Sequence, residues 1–171
     1  MTLTPNRRMG LAAVIVLALD QLTKLAVLHH LGFSKEKVII DGFFRFVHWG
    51  NTGAAWSMFR DHNETLTMVA LIALLVLFLT RHHFEIGIPL GQFAMGMMFG
   101  GIVGNLIDRM RFGHVVDFIY FYANRRGGGE IGFPAFNVAD SAICIGVGLL
   151  FLLSWRNERT PKSNPAALQS E

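Results

Sequence analysis

The sequence predicts an all-α integral membrane protein: four transmembrane helices with a small extramembrane β-sheet in the first long loop. Composition is the first observation, because the 171 residues are 52% hydrophobic and their mean hydropathy is +0.42. The second is that the apolar residues form long blocks, and a helix of about 20 apolar residues is long enough to cross a bilayer core. The third is a pair of long polar connections between the blocks. We therefore expect one membrane-embedded domain over residues 1–171.

The apolar blocks define four predicted spans, about Met9–Leu28, Thr65–Thr80, Ile88–Ile107 and Asn137–Trp155. The first follows Arg7 and Arg8, as a signal peptide would, but no small-residue cleavage site closes it. Apolar residues resume after Lys24, so we expect an uncleaved span. Residues 156–171 are polar and contain Pro161, which predicts a disordered tail.

Glycines recur at four-residue spacing in the third span, at Gly96, Gly100 and Gly104. This spacing places them on one helix face, where they would allow a neighbouring helix to approach closely. The alternative is that glycine is merely common in membrane helices.

Two long connections lie between the spans. Residues 30–64 contain Asp41-Gly42 between a β-branched and an aromatic run, a pattern typical of a hairpin. The aromatic residues that follow predict a small sheet at the membrane surface. Residues 108–136 form the second connection, which we expect to be a loop with a flexible stretch at Arg125–Glu130.

Polar residues of the spans gather at one end of the predicted bundle. With four spans, the end of the first, the start of the second, the end of the third and the start of the fourth share one side. The residues on that side are Asp20, Gln21, Lys24, Asn51, Asn105, Asp108, Arg109, Asp117, Asn137, Asp140 and Ser141. Ionisable groups at the edge of a bilayer core are costly, so the sequence predicts one functional site at this surface.

Simple ion pairs are an alternative for several of these residues. Asp20 and Lys24 stand at i and i+4 on a helix, so they either pair only with each other or support the site indirectly. Asp108 and Arg109 could close the third span as a surface ion pair.

Local roles are also possible around the two remaining aspartates. Asn137 and Asp140 have the spacing of a helix-capping box. Asp117, taken alone in a loop, would be a solvated charge. If Asp117 and Asp140 meet, however, two close carboxylates cannot both ionise easily, and a pair that shares a proton is the machinery of an aspartic protease.

Other chemistries fit the sequence less well. Ser141 and His114 are present, but no Gly-x-Ser-x-Gly nucleophile motif accompanies them. The histidines are scattered without a His-Glu-x-x-His motif, so no metal site is predicted. The basic residues form no stripe, which argues against a nucleic-acid partner.

Five sequence blocks resemble those of the lipoprotein signal peptidase family, also called signal peptidase II, in the family's order. They are Leu19–Lys24 (LDQLTK), Asn51–Ala55 (NTGAA), Gly104–Arg109 (GNLIDR), Val115–Phe118 (VVDF) and Phe133–Ser141 (FPAFNVADS). The blocks run from the first span to the fourth. Any one of them is a weak signal, but five in order are a specific one.

The resemblance implies an aspartic endopeptidase that removes signal peptides from prolipoproteins, cutting before a diacylglyceryl-modified cysteine. Asp117 and Asp140 match the family's catalytic aspartates. The polar residues that line the family's site are matched by Asn51, Asn105, Arg109 and Asn137. The family's first block is matched by Asp20 and Lys24, and its third block by Asp108. No metal or organic cofactor is implied, and the expected partners are prolipoproteins and membrane lipids, with no nucleic acid. The stretch Arg125–Glu130 appears as an extension between the two catalytic blocks, which affects loop shape and not the aspartate pair.

The resemblance also implies a bacterial inner-membrane location, with both termini cytoplasmic and the site near the periplasmic face. A count of Lys and Arg alone favours the opposite orientation, because the two long loops carry more of them. A small proton-coupled transporter is the alternative function, since it would also place carboxylates in a membrane. A transporter would hold them near the midplane and often shows internal repeats, which this sequence lacks.

Overall fold

The computed structural model describes residues 4–53, 62–83 and 88–158. Its elements in chain order are α1 (Pro5–His30), β1 (Glu36–Ile40), β2 (Phe44–Asn51), α2 (Asn63–Thr80), a short 3-10 turn (Arg81–His83), α3 (Pro89–Phe112), β3 (Val115–Asn124), β4 (Glu130–Gly132) and α4 (Val138–Glu158). Within these described ranges, four helices are long and apolar enough to cross a membrane, as predicted.

The helices extend past several predicted span ends. α3 continues beyond Ile107 to Phe112, because Asp108 faces the protein interior and its charge does not end the helix. α4 reaches Glu158, so residues 156–158 are helical and do not form part of a disordered tail. The rest of that tail, residues 159–171, lies outside the described residues.

Glycines on α3 allow the two neighbouring helices to pack against it. A Cβ at Gly96 or Gly100 would lie 2.5 Å from a backbone oxygen of α1, and one at Gly104 would lie 2.5 Å from Asp20 Oδ2. The predicted close helix neighbour of this glycine face is therefore α1. On another face, a Cβ at Gly101 would lie 2.5 Å from the Ala139 carbonyl oxygen of α4. α3 is thus the central helix, with α1 and α4 beside it and α2 packed against it as well.

A four-stranded antiparallel sheet in the order β1-β2-β3-β4 caps the end of the bundle where α1 and α3 finish. The hairpin predicted at Asp41-Gly42 joins β1 to β2, and Gly42 has a φ of +69°, which suits glycine. The sheet is larger than predicted, because β3 and β4 come from the second long connection. The description of the fold as all-α, with a sheet confined to the first loop, is therefore corrected.

Apolar side chains cover the outside of the bundle. Large exposed ones lie along α1, α2 and α4, among them Val69, Leu75 and Phe78 on α2 and Phe151 on α4. A surface this apolar suits lipid better than water. The molecule is therefore a multi-pass membrane protein with a polar, sheet-covered end.

Candidate active site

Asp117 lies on β3, which follows a tight turn at the end of α3. The turn uses Gly113, whose φ is +74° and whose N–H donates to the Arg109 carbonyl oxygen at 3.1 Å. β3 then pairs with the end of β2, where the Asn51 side chain donates from Nδ2 to Asp117 Oδ2 at 2.9 Å. Asp117 is only 3% exposed, so its carboxylate is not the solvated loop charge considered as an alternative.

Asp140 lies in the first turn of α4, and backbone pairing brings that turn to β3. Phe136 forms an antiparallel bridge with Ile119, whose N–H donates to the Phe136 carbonyl oxygen at 2.9 Å. The next residue, Asn137, starts the helix with the predicted capping box. Its Oδ1 accepts the Asp140 N–H at 2.9 Å, and its own N–H donates to Asp140 Oδ2 at 3.2 Å.

Asn137 also joins the two carboxylates. In addition to the capping bonds, its Nδ2 donates to Asp117 Oδ1 at 2.9 Å. One fully buried asparagine therefore contacts both members of the pair Asp117 and Asp140, hereafter the dyad. The capping role and the site role proposed for Asn137 and Asp140 are compatible, because the same residues perform both.

The electrostatic surroundings favour a proton on Asp117. Burial, and then the nearby charge of Asp140, raise the pKa of Asp117 to about 7. The hydrogen bonds from Asn51 and Asn137 and the charge of Lys24 act in the opposite direction but do not cancel this rise. A carboxyl with a pKa near neutrality can hold or release a proton under ordinary conditions, as an acid–base catalyst must.

A buried cation lies next to the dyad. Lys24 is 2% exposed, and its Nζ contacts Asp20 Oδ2 at 2.9 Å, Asp108 Oδ2 at 2.8 Å and Asn105 Oδ1 at 3.0 Å. Asn105 in turn donates from Nδ2 to Asp140 Oδ1 at 2.7 Å. We call these four residues, Asp20, Lys24, Asn105 and Asp108, the Lys24 cluster. Asp20 and Lys24 therefore pair as the sequence suggested, within a network that reaches Asp140.

The carboxylates of the Lys24 cluster also hold the backbone on either side of the dyad. Asp20 Oδ1 accepts the Ala139 N–H of α4 at 2.9 Å, and Asp108 Oδ2 accepts the Val116 N–H of β3 at 3.1 Å. Each of these backbone groups belongs to the residue immediately before a member of the dyad. The cluster therefore fixes the relative position of α4 and β3.

Gln21, which the sequence predicts to lie on the same side as the site, is a further member of this network, although the family resemblance implies no role for it. Its Nε2 lies 3.2 Å from Asp20 Oδ2 and 3.1 Å from Asp108 Oδ1, so one amide bridges two helices. The signal was present in the sequence, because Gln21 stands beside Asp20 in the first family-like block.

Arg109 lies near both members of the dyad. Its Nη2 donates to the Gly53 carbonyl oxygen at 3.4 Å, and its charge interacts with both Asp140 and Asp117. The surface ion pair considered for Asp108 and Arg109 is wrong, because Asp108 is 1% exposed and pairs with Lys24. Adjacent residues on α3 thus serve different parts of the site.

Hydrogen bonds and ion pairs connect every side chain that the sequence selected. These are Asp20, Lys24, Asn51, Asn105, Asp108, Arg109, Asp117, Asn137 and Asp140, with Arg109 joined through the backbone of Gly53. The arrangement offers one carboxyl able to hold a proton, a second carboxylate beside it, and amide and guanidinium groups around both. General acid–base chemistry on a polar substrate is what such a set can perform.

Comparison with known proteins identifies similar sequences and structures. A lipoprotein signal peptidase from Syntrophotalea carbinolica is 36% identical over 162 residues, covering 92% of this chain and 96% of the relative. One from Symbiobacterium thermophilum is 40% identical over 140 residues, covering 82% of this chain and 89% of the relative. A solved bacterial membrane enzyme has a TM-score of 0.75 at 29% identity, covering 91% of this chain and 92% of its own.

These findings define the class of protein as a multi-pass membrane peptidase. The family model described as signal peptidase (SPase) II matches residues 12–156, which is most of the chain. The chain belongs to the signal peptidase II family.

Proposed function

We propose that this protein is an aspartic endopeptidase that removes signal peptides from prolipoproteins, cutting before the diacylglyceryl-modified cysteine. Family membership supports the substrate class. The observation that carries the aspartic mechanism is the junction at Asn137, which contacts the carboxylates of both Asp117 and Asp140. Two buried carboxylates in such an arrangement share one proton more readily than they both ionise.

The two aspartates take complementary roles in the proposed reaction. Asp117, with its pKa of about 7, holds the proton, and Asp140, at the N-terminal end of α4 where the helix dipole favours an anion, is charged. Asp140 removes a proton from a water molecule, whose oxygen attacks the scissile carbonyl carbon, while Asp117 gives its proton to the carbonyl oxygen. When the carbon–nitrogen bond breaks, Asp140 returns a proton to the leaving amine and Asp117 recovers its own. The reaction needs only water and the dyad, without a metal or organic cofactor.

The neighbouring polar groups position the peptide and the dyad. Asn51 and Asn137 hold the Asp117 carboxyl, and Asn105 holds that of Asp140. Arg109 supplies a guanidinium beside both and hydrogen-bonds peptide carbonyls of the substrate in an extended conformation. The Lys24 cluster positions the dyad, because its carboxylates hold the backbone N–H groups of Ala139 and Val116, one residue before each aspartate.

The proposed setting is the bacterial inner membrane, with both termini in the cytoplasm and the dyad near the periplasmic face. The whole chain works as a single peptidase domain surrounded by membrane lipids. This orientation suits a reaction on proteins that have begun to cross the membrane.

A proton-coupled transporter is not favoured. Such proteins bind their ions near the bilayer midplane, often at discontinuous helices. Here the dyad lies at one end of the bundle, where Asp117 belongs to β3 of the sheet and Asp140 to the first turn of α4.

The proposal is tested by incubating the purified protein with a diacylglyceryl-modified prolipoprotein and measuring the product masses. We expect one cut, which leaves the modified cysteine at the new N-terminus. A matched substrate with an unmodified cysteine at the same position is the control and should be cut much more slowly. Equal cleavage of both substrates, or a cut elsewhere, would contradict the proposed substrate class.

A further inference from the structure

The start of α2 meets the end of α3 beside the dyad. Asn63 is the first residue of α2, and its Nδ2 donates to the Arg109 carbonyl oxygen at 3.3 Å. The next turn of α2 is held to it by Thr67, whose hydroxyl donates to the Asn63 carbonyl oxygen at 2.8 Å. Asn63 was not selected from the sequence, because only the folded chain brings it to Arg109.

Each of these two residues carries a polar atom that is buried but unsatisfied. Within the described residues, neither the Arg109 Nε nor the Asn63 Oδ1 has a hydrogen-bond partner. Buried polar groups in folded proteins are nearly always paired, so each such exception requires an explanation. The two atoms differ in kind, since an arginine Nε–H is a donor and an asparagine Oδ1 is an acceptor.

Arg109 and Asn63 are also connected to the dyad. Arg109 Nη2 donates to the Gly53 carbonyl oxygen at 3.4 Å, and the Gly53 N–H donates to Asn51 Oδ1 at 2.9 Å. Asn51 in turn donates to Asp117 at 2.9 Å. The residues that carry the unpaired donor and acceptor are therefore linked, through the backbone of Arg109 and Gly53, to a side chain that holds Asp117.

A peptide in an extended conformation presents the complementary pair of groups, a carbonyl oxygen and an amide N–H. We propose that Asn63 is a further substrate-binding residue: its Oδ1 accepts one backbone N–H of the bound peptide, while the Arg109 Nε–H donates to a backbone carbonyl. This inference rests on the proposed peptidase function and adds a residue to its site. Recognition through backbone groups is independent of the side chains of the peptide.

The test removes the donor and the acceptor of the proposed hydrogen bond, the peptide N–H and Asn63 Oδ1, first separately and then together. Synthetic diacylglyceryl-modified signal peptides, each with one amide replaced by an ester, lack a single backbone N–H. We expect one ester position near the cleaved bond to lower kcat/KM of the parent roughly three- to tenfold, the range for a neutral hydrogen bond. Asn63→Leu should lower kcat/KM for the all-amide peptide to a similar extent, mainly through KM, and should be insensitive to the ester at that one position.

The matched control is Thr67→Val, which removes a hydrogen bond at the same helix end and leaves Asn63 Oδ1 in place. It should keep the full ester effect. If Asn63→Leu does not fold, Asn63→Ala serves in the same cycle. The assignment would be overturned if, at every position, the ester lowered kcat/KM by the same factor in the parent and in the Asn63 variant. Asn63 would then act only in packing or in binding an internal water. No cleavage of the all-amide peptide by the parent would overturn the proposed function itself.

Discussion

Asn137 is the single residue on which the geometry of the dyad depends most. It caps α4, hydrogen-bonds both dyad members, and receives its position from the backbone bridge between Phe136 and Ile119. An aspartate at this position could not donate to Asp117, and an alanine could do neither job. Its two roles explain why a helix cap is also a member of the site.

Asn137→Ala should lower kcat about 100-fold, because the dyad carboxylates lose their common partner and small displacements of reacting groups are costly. The loss of the cap should also lower the free energy of unfolding by about 1 kcal/mol. Initial-rate kinetics and thermal unfolding in detergent measure the two effects.

Ser141→Ala is the control for this change, since the Ser141 hydroxyl donates to the Asn137 carbonyl oxygen at 3.0 Å without touching the dyad. It should retain near-normal activity. A large loss of activity in Ser141→Ala would instead indicate that the serine takes part in the reaction.

The pH dependence of cleavage follows from the raised pKa of Asp117. Below its value of about 7, Asp117 holds the proton that it gives to the substrate carbonyl; above it, both members of the dyad are charged and the proton is gone. We therefore expect kcat/KM to fall as the pH rises through about 7, with the slope of a single ionisation. Rates that keep rising well above that pH would show that Asp117 does not need its proton.

Sequence patterns anticipated most of the site residues but not their bonds. Spacing and topology placed Asp117, Asp140 and Asn137 on the same side, and the five family-like blocks supplied the roles. Neither could show that Asp108 pairs with Lys24 and not with Arg109, because that choice depends on which way α3 faces α1. The contact of Asn63 with Arg109 joins residues far apart in sequence and was equally inaccessible.

At the scale of secondary structure, hydropathy predicted the four helices well and the sheet incompletely. We predict a loop over residues 108–136, although the run Val115–Asn124 within it has the β-branched and aromatic composition of a strand. β3 is defined by its partners β2 and β4, which lie elsewhere in the chain, and a strand without a known partner gives a weak local signal. The predicted third span ends at Ile107, before the end of α3 at Phe112, because the sequence does not show that Asp108 is buried.

The close packing of α1 on α3 leads to a prediction at Gly104. A Cβ there would lie 2.5 Å from Asp20 Oδ2, and that carboxylate is held in place by Lys24 and the Ala139 N–H. Gly104→Ala should therefore lower the free energy of unfolding by about 1–3 kcal/mol, as overpacking does, and should also reduce activity by shifting the Lys24 cluster. Thermal unfolding in detergent and the cleavage assay measure the two effects.

Gly148→Ala provides the comparison, because nothing lies within 4 Å of a Cβ at that position on α4. Alanine favours a helix over glycine by roughly 1 kcal/mol, so this variant should be at least as stable as the parent. Equal effects of the two substitutions would mean that α1 and α3 are not packed as described.

At the scale of the whole molecule, the sheet and dyad lie at one end of a four-helix bundle and the short α2–α3 connection at the other. Counting basic residues predicts one orientation in the membrane and the family resemblance the reverse. The proposed orientation follows the family resemblance and places the sheet and dyad at the periplasmic face.

The proposed orientation predicts that Gly127→Cys, in the β3–β4 turn, reacts with a membrane-impermeant maleimide from the periplasmic side of intact cells. His82→Cys, at the opposite end, should react only after the inner membrane is opened. Both are made in a Cys144→Ser background, which removes the native cysteine of the chain. The reverse pattern would place the dyad at the cytoplasmic face.

The central claim is that Asp117 and Asp140 together cleave the substrate, and single-turnover cleavage by Asp117→Asn and Asp140→Asn tests it most directly. Each substitution keeps the shape of the side chain but removes its acid–base function, so we expect each to slow cleavage by roughly 10²- to 10⁴-fold, with folding intact. Asp41→Asn, in the exposed β1–β2 turn, should cleave like the parent. A folded dyad variant that keeps near-parental activity would contradict the account.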